Sequence, residues 1–163
     1  MLEIYCDGSS RGNPGEAGWG CVVMDVNRED NQVIAWDSEQ VASATNNQME
    51  LKALLRALAY ALEYSNGFNP RHSLILSDSA YCVNMFNDWI HKWAANGWKR
   101  SKNQSVENLE LVKEIYDYAA MDFPPFEIQL IKGHSGIFGN ELADALASKN
   151  KEKFEKLMEN PLA

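Results

Sequence analysis

The chain opens on a period of two. Residues 2–7 alternate around Leu2, Ile4 and Cys6 and close on Asp7-Gly8, which predicts a strand and a turn. Residues 8–15 carry Gly12, Asn13-Pro14 and Gly15 and read as a turn-rich loop. Residues 19–26 and 32–41 are two further strands, joined by the polar stretch 27–31. Links this short leave no room for a parallel crossover, so the three strands are expected to be antiparallel. The period then changes to that of a helix, through Met49, Leu51, Leu54, Leu55, Leu58, Ala61 and Leu62, with Thr45, Asn46 and Asn47 as capping candidates. Residues 74–77 form a short apolar strand reached by a strand–helix–strand crossover, hence parallel to the first. Short helices are expected at 79–86 and 89–95, and an amphipathic one at 108–120. Pro124-Pro125 precedes a last strand at 126–131. A glycine-punctuated loop, 133–139, leads to a final helix from about Asn140. The expected fold is α/β: a five-stranded mixed sheet flanked by helices, over residues 1–150, with a charged C-terminal tail at 151–163.

Composition narrows the class. A chain of 163 residues, 45% apolar and 23% charged, suits one globular core and excludes a disordered, collagenous or coiled-coil protein. No apolar run approaches the roughly 18 residues of a membrane span, and the first residues lack a basic signal-peptide region. Cys6, Cys21 and Cys82 are odd in number and lack metal-type spacing, so they read as reduced thiols of a cytoplasmic protein. The net charge of -8 argues against a nucleic-acid partner, with one local exception. Residues 89–104 carry Lys92, Lys99, Arg100 and Lys102 and no acid, leaving 11 basic and 23 acidic residues elsewhere, or -12.

Four acids fall where elements end. Asp7 closes the first strand and Asp78 the fourth; if these strands are parallel neighbours, both emerge at the ligand-binding edge of the sheet. Glu50 is expected in the first turn of the long helix, and Asp144 one turn into the last. Each has an ordinary reading as a turn, cap or solvated residue. Jointly they form a repelling cluster that costs stability unless a cation is bound. An all-oxygen set suits Mg²⁺, and two such ions support phosphoryl chemistry while moving the net charge from -8 to about -4. His134, among glycines, is a candidate proton carrier near Asp144. Trp89, Trp93 and Trp98, interleaved with the basic residues, suit nucleic-acid contact, as well as simple packing. Asn13, Asn46 and Asn47 are candidates for 2′-hydroxyls and base edges.

These residues carry a family resemblance. The matching stretches are Asp7-Gly8-Ser9 with Gly12-Asn13-Pro14-Gly15, Thr45-Asn46-Asn47-Gln48-Met49-Glu50-Leu51, Ser77-Asp78-Ser79, Trp89-Ile90-His91 and Gly97-Trp98-Lys99. Lys132-Gly133-His134-Ser135-Gly136 and Asn140-Glu141-Leu142-Ala143-Asp144 complete the set. In this order, from residue 2 to about 148, the chain resembles bacterial type 1 ribonuclease H. The resemblance implies endonucleolytic hydrolysis of the RNA strand of RNA–DNA hybrids with Mg²⁺ or Mn²⁺, leaving 5′-phosphate and 3′-hydroxyl ends. It implies metal-binding acids at Asp7, Glu50, Asp78 and Asp144, and a mobile histidine at His134. Hybrid contacts are implied at Asn13, Asn46 and Asn47, and a backbone-phosphate contact at Thr45. Residues 89–104 resemble the basic protrusion that grips the DNA strand, with Lys92, Trp98, Lys99, Arg100 and Lys102 as candidates. The resemblance favours a monomer with no obligate protein partner. Two departures stand out: Ala80 replaces a common polar residue, and Ala94-Ala95 dilute the protrusion's charge. A DNA junction resolvase or integrase-like nuclease would use similar acids without the asparagines, and a non-catalytic hybrid binder would not need all four acids.

Overall fold

The computed structural model describes residues 1–26 and 32–159; the polar connection 27–31 and the end of the tail, 160–163, lie outside the described residues. Five strands, β1 (Leu2–Ser10), β2 (Gly15–Asp25), β3 (Gln32–Ala44), β4 (Ser73–Ser77) and β5 (Phe126–Leu130), form one sheet in the order β3-β2-β1-β4-β5. The β1, β2 and β3 pairings are antiparallel, whereas β4 pairs parallel with both β1 and β5. The expected mixed sheet is therefore present.

β1 runs further than its apolar pattern predicts, and this corrects the placing of Asp7 at a strand end. Parallel pairing with β4 stops at Cys6↔Ser77, but antiparallel pairing with β2 continues to Ser10↔Ala17. Asp7 is thus the first residue beyond the parallel ladder, still held across from Gly20. Likewise α1 (Asn46–Tyr64) begins early, because Thr45 and Gln48 close a capping box. The Thr45 hydroxyl accepts from the Gln48 N–H at 3.2 Å, and Gln48 Oε1 accepts from the Thr45 N–H at 2.8 Å. Glu50 consequently sits in the second turn of α1, past the end of the helix where a carboxylate would simply complement the dipole.

The two faces of the sheet follow from strand alternation. Leu2, Ile4, Cys6, Cys21 and Ile75 meet Leu51, Leu54 and Leu58 of α1 on one side. Tyr5, Val22, Met24 and Leu76 meet Leu142 and Ala143 of α5 (Phe138–Ala147) on the other. α2 (Ala80–Asn84) and α3 (Ile90–Ala95) are joined by a π turn, Met85–Trp89, so the two short helices expected there form one interrupted rod. α4 (Leu109–Ala119) packs beside α1. The charged stretch after Asn150 is a helix, α6 (Lys151–Glu159), whose Phe154, Leu157 and Met158 cover the α5 side of the sheet. No helix among the described residues is long and apolar enough to cross a membrane.

Two glycines let helices approach the sheet. A β-carbon on Gly8 would lie 2.4 Å from the Glu50 nitrogen, and one on Gly20 would lie 2.6 Å from the Ala143 carbonyl oxygen. Gly8 therefore sets the distance between β1 and the start of α1, and with it the distance from Asp7 to Glu50. Gly8→Ala is expected to cost about 3 kcal/mol, because the clash is with backbone that has no rotamer to adjust. Urea unfolding measures it; a loss below about 1 kcal/mol would show that α1 shifts freely.

Candidate active site

Asp7 and Asp78 follow directly on the last parallel pair, so the two strands deliver both carboxylates to one sheet edge. Glu50 reaches the same point from α1. One carboxylate oxygen from each of Asp7, Glu50 and Asp78 lies within 4.8 Å of the others. Asp7 and Glu50 are each only 5% exposed, and Asp78 is half-buried. The Gly8 N–H donates to Asp7 Oδ1 at 3.0 Å and also to the Glu50 carboxylate. Asp78 is not spent on capping. Ser79 caps α2 by accepting from the Cys82 N–H at 3.1 Å, and Ser77 Oγ accepts from the Ser79 N–H at 3.1 Å.

Asp144 stands outside the tight group but adjoins it, hydrogen-bonded to Asp7. Its position comes from α5, which begins at Phe138 rather than near Asn140 and lies close on β1 and β2. Asp144 Oδ2 accepts from Lys153 Nζ at 2.9 Å. His134 is exposed with φ 53°, in the loop between β5 and α5. The preceding Gly133 runs against Asp78, where a β-carbon would lie 2.7 Å from Oδ2. The residue before the histidine thus packs on Asp78, and a side chain there would displace that carboxylate.

The crowding is visible in the protonation of the acids. Burial, followed by the charges of Glu50, Asp78 and Asp144, pushes Asp7 up to about 10. Burial and the Asp78 charge push Glu50 up to about 8, against hydrogen bonds from Gly8 and Asp7 that favour its ionised form. The site without metal therefore holds a proton at neutral pH. Glu50 Oε2 is fully buried and has no hydrogen-bond partner in the protein. A hard divalent cation fits this set: oxygen donors only, excess negative charge, and one buried oxygen with nothing to bind.

The polar residues expected to meet substrate are partly gathered. Asn13, Thr45 and Asn47 line a groove of about 370 Å³ with Gln48, Glu107 and Asn108. Asn13 Oδ1 accepts from the Asn46 N–H at 3.1 Å, tying the 11–14 turn to the start of α1 and leaving its amide group to donate. The segment beyond Glu107 is tied to the groove, since the Val106 N–H donates to the Trp98 carbonyl at 3.4 Å; Trp98 is half-buried, edge-on to Tyr116 at 5.3 Å with Lys113 Nζ 5.9 Å over its ring. Trp89 and Trp93 lie 6.1 Å apart and pack toward the core. Lys92 pairs with Asp88 at 3.2 Å, and Arg100 is engaged by the Ser105 carbonyl at 3.0 Å and Glu107 at 3.8 Å. Lys99 and Lys102 make no ion pair among the described residues, and Lys102 is exposed with φ 60°. Sequence reasoning missed Gln48 and Asn108 in the groove, and Glu141 and Lys153 beside Asp144. Glu141 had a readable signal, one helical turn before Asp144.

A mixed sheet that delivers two carboxylates to the end of its central parallel pair, met there by a third from α1 and with a fourth beside them, defines a carboxylate-centred nuclease. Comparison with known proteins makes the assignment specific. The family model described as RNase H matches residues 1–152. A ribonuclease H of Dechloromonas aromatica (strain RCB) is 38% identical over 154 residues, 94% of this chain and 95% of that protein. The solved RNase H domain of PFV, a foamy virus, is 26% identical, with 93% of this chain and 94% of that one covered and a TM-score of 0.76. LC11-RNase H1, isolated from compost and solved in complex with RNA/DNA hybrid, shares the fold at 24% identity and a TM-score of 0.64. It covers 97% of this chain and 99% of that one. The chain belongs to the RNase H family and is an RNase H nuclease.

The raised Asp7 value has a stability consequence with a definite sign. The folded, metal-free protein keeps this proton up to about pH 10, while an unfolded chain releases it near the ordinary aspartate value of about 4. Between those limits, rising pH favours the unfolded chain. Asp7→Asn removes this dependence and is expected to stabilise the metal-free protein by about 1–3 kcal/mol at pH 8, and by less at pH 5. Thermal unfolding in EDTA at both pH values checks it; equal stability of the two proteins at pH 8 would refute it.

Proposed function

We propose that this nuclease hydrolyses the RNA strand of RNA–DNA hybrids endonucleolytically, using divalent cations and leaving 5′-phosphate and 3′-hydroxyl ends. The observation that carries the reading is the Asp7–Glu50–Asp78 group, with its buried, partnerless Glu50 oxygen at the edge of the sheet. The polar groove beside it supports the choice of substrate, as does LC11-RNase H1, a protein of this fold that holds such a hybrid.

Asp7, Glu50, Asp78 and Asp144 would hold two Mg²⁺ ions, with Mn²⁺ as a substitute. When bound, such ions supply an activated water for in-line attack and charge stabilisation at the departing 3′-oxygen. The residues of the chain do the rest. Asp7, central to the cluster, would serve as a ligand to both ions. Glu50 holds the side that faces the 2′-hydroxyl. His134, on its exposed loop, carries a proton away and aids product release. Asn13, Asn46 and Asn47 donate into the shallow minor groove, and the 2′-hydroxyl is the feature that marks the RNA strand. Thr45 meets a backbone phosphate through the hydroxyl proton left over after capping α1. Lys99 and Lys102, the cations of residues 89–104 without an ion pair among the described residues, attract phosphates of the DNA strand, assisted by Lys92 and Arg100. Trp98 contributes by holding this segment against Tyr116. The protein works in this reading as a monomer in the cytoplasm.

The test is cleavage of one labelled RNA strand, single or paired with RNA or with DNA, alongside a DNA duplex, with Mg²⁺ or EDTA. Cutting in the hybrid with Mg²⁺ only, with 5′-phosphate ends, is the expected result. Cutting of the DNA duplex instead would favour a resolvase-like activity. Asp7→Asn is expected to lower turnover by at least about 10³-fold, and His134→Ala by about 10–100-fold without abolishing it. Unchanged turnover in Asp7→Asn would remove the carboxylate centre from the mechanism.

A further inference from the structure

α6 places one lysine differently from its neighbours. Lys151 pairs with Glu155 at 3.9 Å and Lys156 with Glu152 at 3.0 Å, both one turn apart on the exposed side of the helix. Lys153 instead points inward. Its Nζ lies 2.7 Å from Glu141 Oε2 and 2.9 Å from Asp144 Oδ2, and the side chain is 30% exposed. Its place is fixed from both sides. Asn150 Oδ1 accepts from the Lys153 N–H at 3.1 Å at the start of α6. The adjacent Phe154 packs 5.5 Å from the Trp36 ring. Asp144 therefore has two neighbours: its charge is felt at Asp7, and a fixed ammonium holds its Oδ2. It is also the one acid of the four outside the 4.8 Å group.

The geometry points to Lys153 as a resident counter-ion of Asp144. It holds that carboxylate in the metal-free protein and competes with the divalent ion for it, and so sets the metal concentration the enzyme requires. The inference rests on the proposed role of Asp144 as a metal ligand. Lys153 touches neither substrate nor the reacting atoms in this account; it is a positioning residue that acts through Asp144. A fixed positive charge one carboxylate away weakens binding of a divalent ion by repulsion, and occupies an oxygen the ion would use. In a partly solvated, salt-screened site the combined effect is of the order of threefold to tenfold in affinity.

The experiment is calorimetric titration of EDTA-stripped protein with Mn²⁺, without nucleic acid, for the parent and Lys153→Met, Lys153→Arg, Asp144→Asn and Asp144→Asn/Lys153→Met. Methionine keeps most of the aliphatic stem and removes the charge; Lys153→Gln replaces it if circular dichroism shows that variant unfolded. The expected result is that Lys153→Met binds Mn²⁺ about threefold to tenfold more tightly, and Lys153→Arg like the parent. The gain should vanish in the Asp144→Asn background. The Mg²⁺ midpoint for hybrid cleavage should fall by the same factor. Equal or weaker Mn²⁺ binding in Lys153→Met, with Asp144→Asn impaired, overturns the counter-ion role and leaves Asp144 a ligand. Parent-like binding in Asp144→Asn overturns the ligand reading itself, and the counter-ion role with it.

Discussion

Mutual repulsion among buried carboxylates is the constraint around which this fold is arranged. Asp7 and Glu50 are withdrawn from water, and each is pushed toward its neutral form by burial first and by neighbouring charge second. Such a group does not hold itself together; the scaffold has to hold it. Two apolar layers do so. The Leu2–Ile4–Cys6 side of β1 is clamped by α1, and the Tyr5 side by α5. Asp7 lies one residue past the parallel ladder, where β4 has let go and β2 has not. Glu50 is brought in by a helix whose start is fixed by the Thr45–Gln48 box and whose approach is permitted by Gly8. These are rigid parts that fix position, which is what a cation site of fixed geometry needs.

How much of this the sequence reveals depends on whether a feature is local. Strand alternation and helical spacing located the elements, because each depends on residues a few positions apart. Their ends were less legible. β1 reads as stopping at Asp7 because its apolar alternation stops there, yet cross-strand pairing with β2, a long-range property, carries it to Ser10. The start of α1 was in principle local: Thr45 and Gln48 stand in capping-box spacing, and reading them places Glu50 in the second turn. The convergence of Asp7 and Asp78 followed from topology once the crossover was inferred. The tighter grouping of three acids, with Asp144 to one side, depends on the packing of α5 and has no signature in spacing.

The apparent conflict between an acidic chain and a nucleic-acid substrate resolves spatially. The acids of the site are not a repelling surface, since Asp7 and Glu50 are buried and hold a proton at neutral pH. The basic segment is more modest than its composition suggests. Asp88, just outside it, neutralises Lys92, and Arg100 is committed to the 105–107 backbone and Glu107. Of its aromatics, Trp89 and Trp93 serve the core, and Trp98 sits edge-on to Tyr116 under Lys113. Counting charges along the chain overstates the patch because ion pairing across one helical turn and across a loop is invisible to a count. In the proposed reading, recognition leans more on the donors of the groove beside α1 than on charge, which is the means by which a protein distinguishes the 2′-hydroxyl rather than merely a phosphate.

The helix after Asn150 illustrates the same limit from the other direction. Its composition, alternating lysine and glutamate, reads as a solvated tail, and two of its three lysines behave so. Lys153 differs only because Phe154, Leu157 and Met158 seat one face of α6 beside α5, bringing the lysine alongside Glu141 and Asp144. An ammonium there answers the same electrostatic problem that a divalent cation answers at Asp7 and Glu50, with half the charge and on a covalent tether. The tether makes it permanent, so it lowers the repulsion felt by Asp144 whether or not metal is present. Being permanent, it also opposes the arrival of a second cation. If catalysis runs through metal as proposed, a site that must bind it and yet stay folded without it gains from neutralising its outermost acid and leaving the innermost to wait.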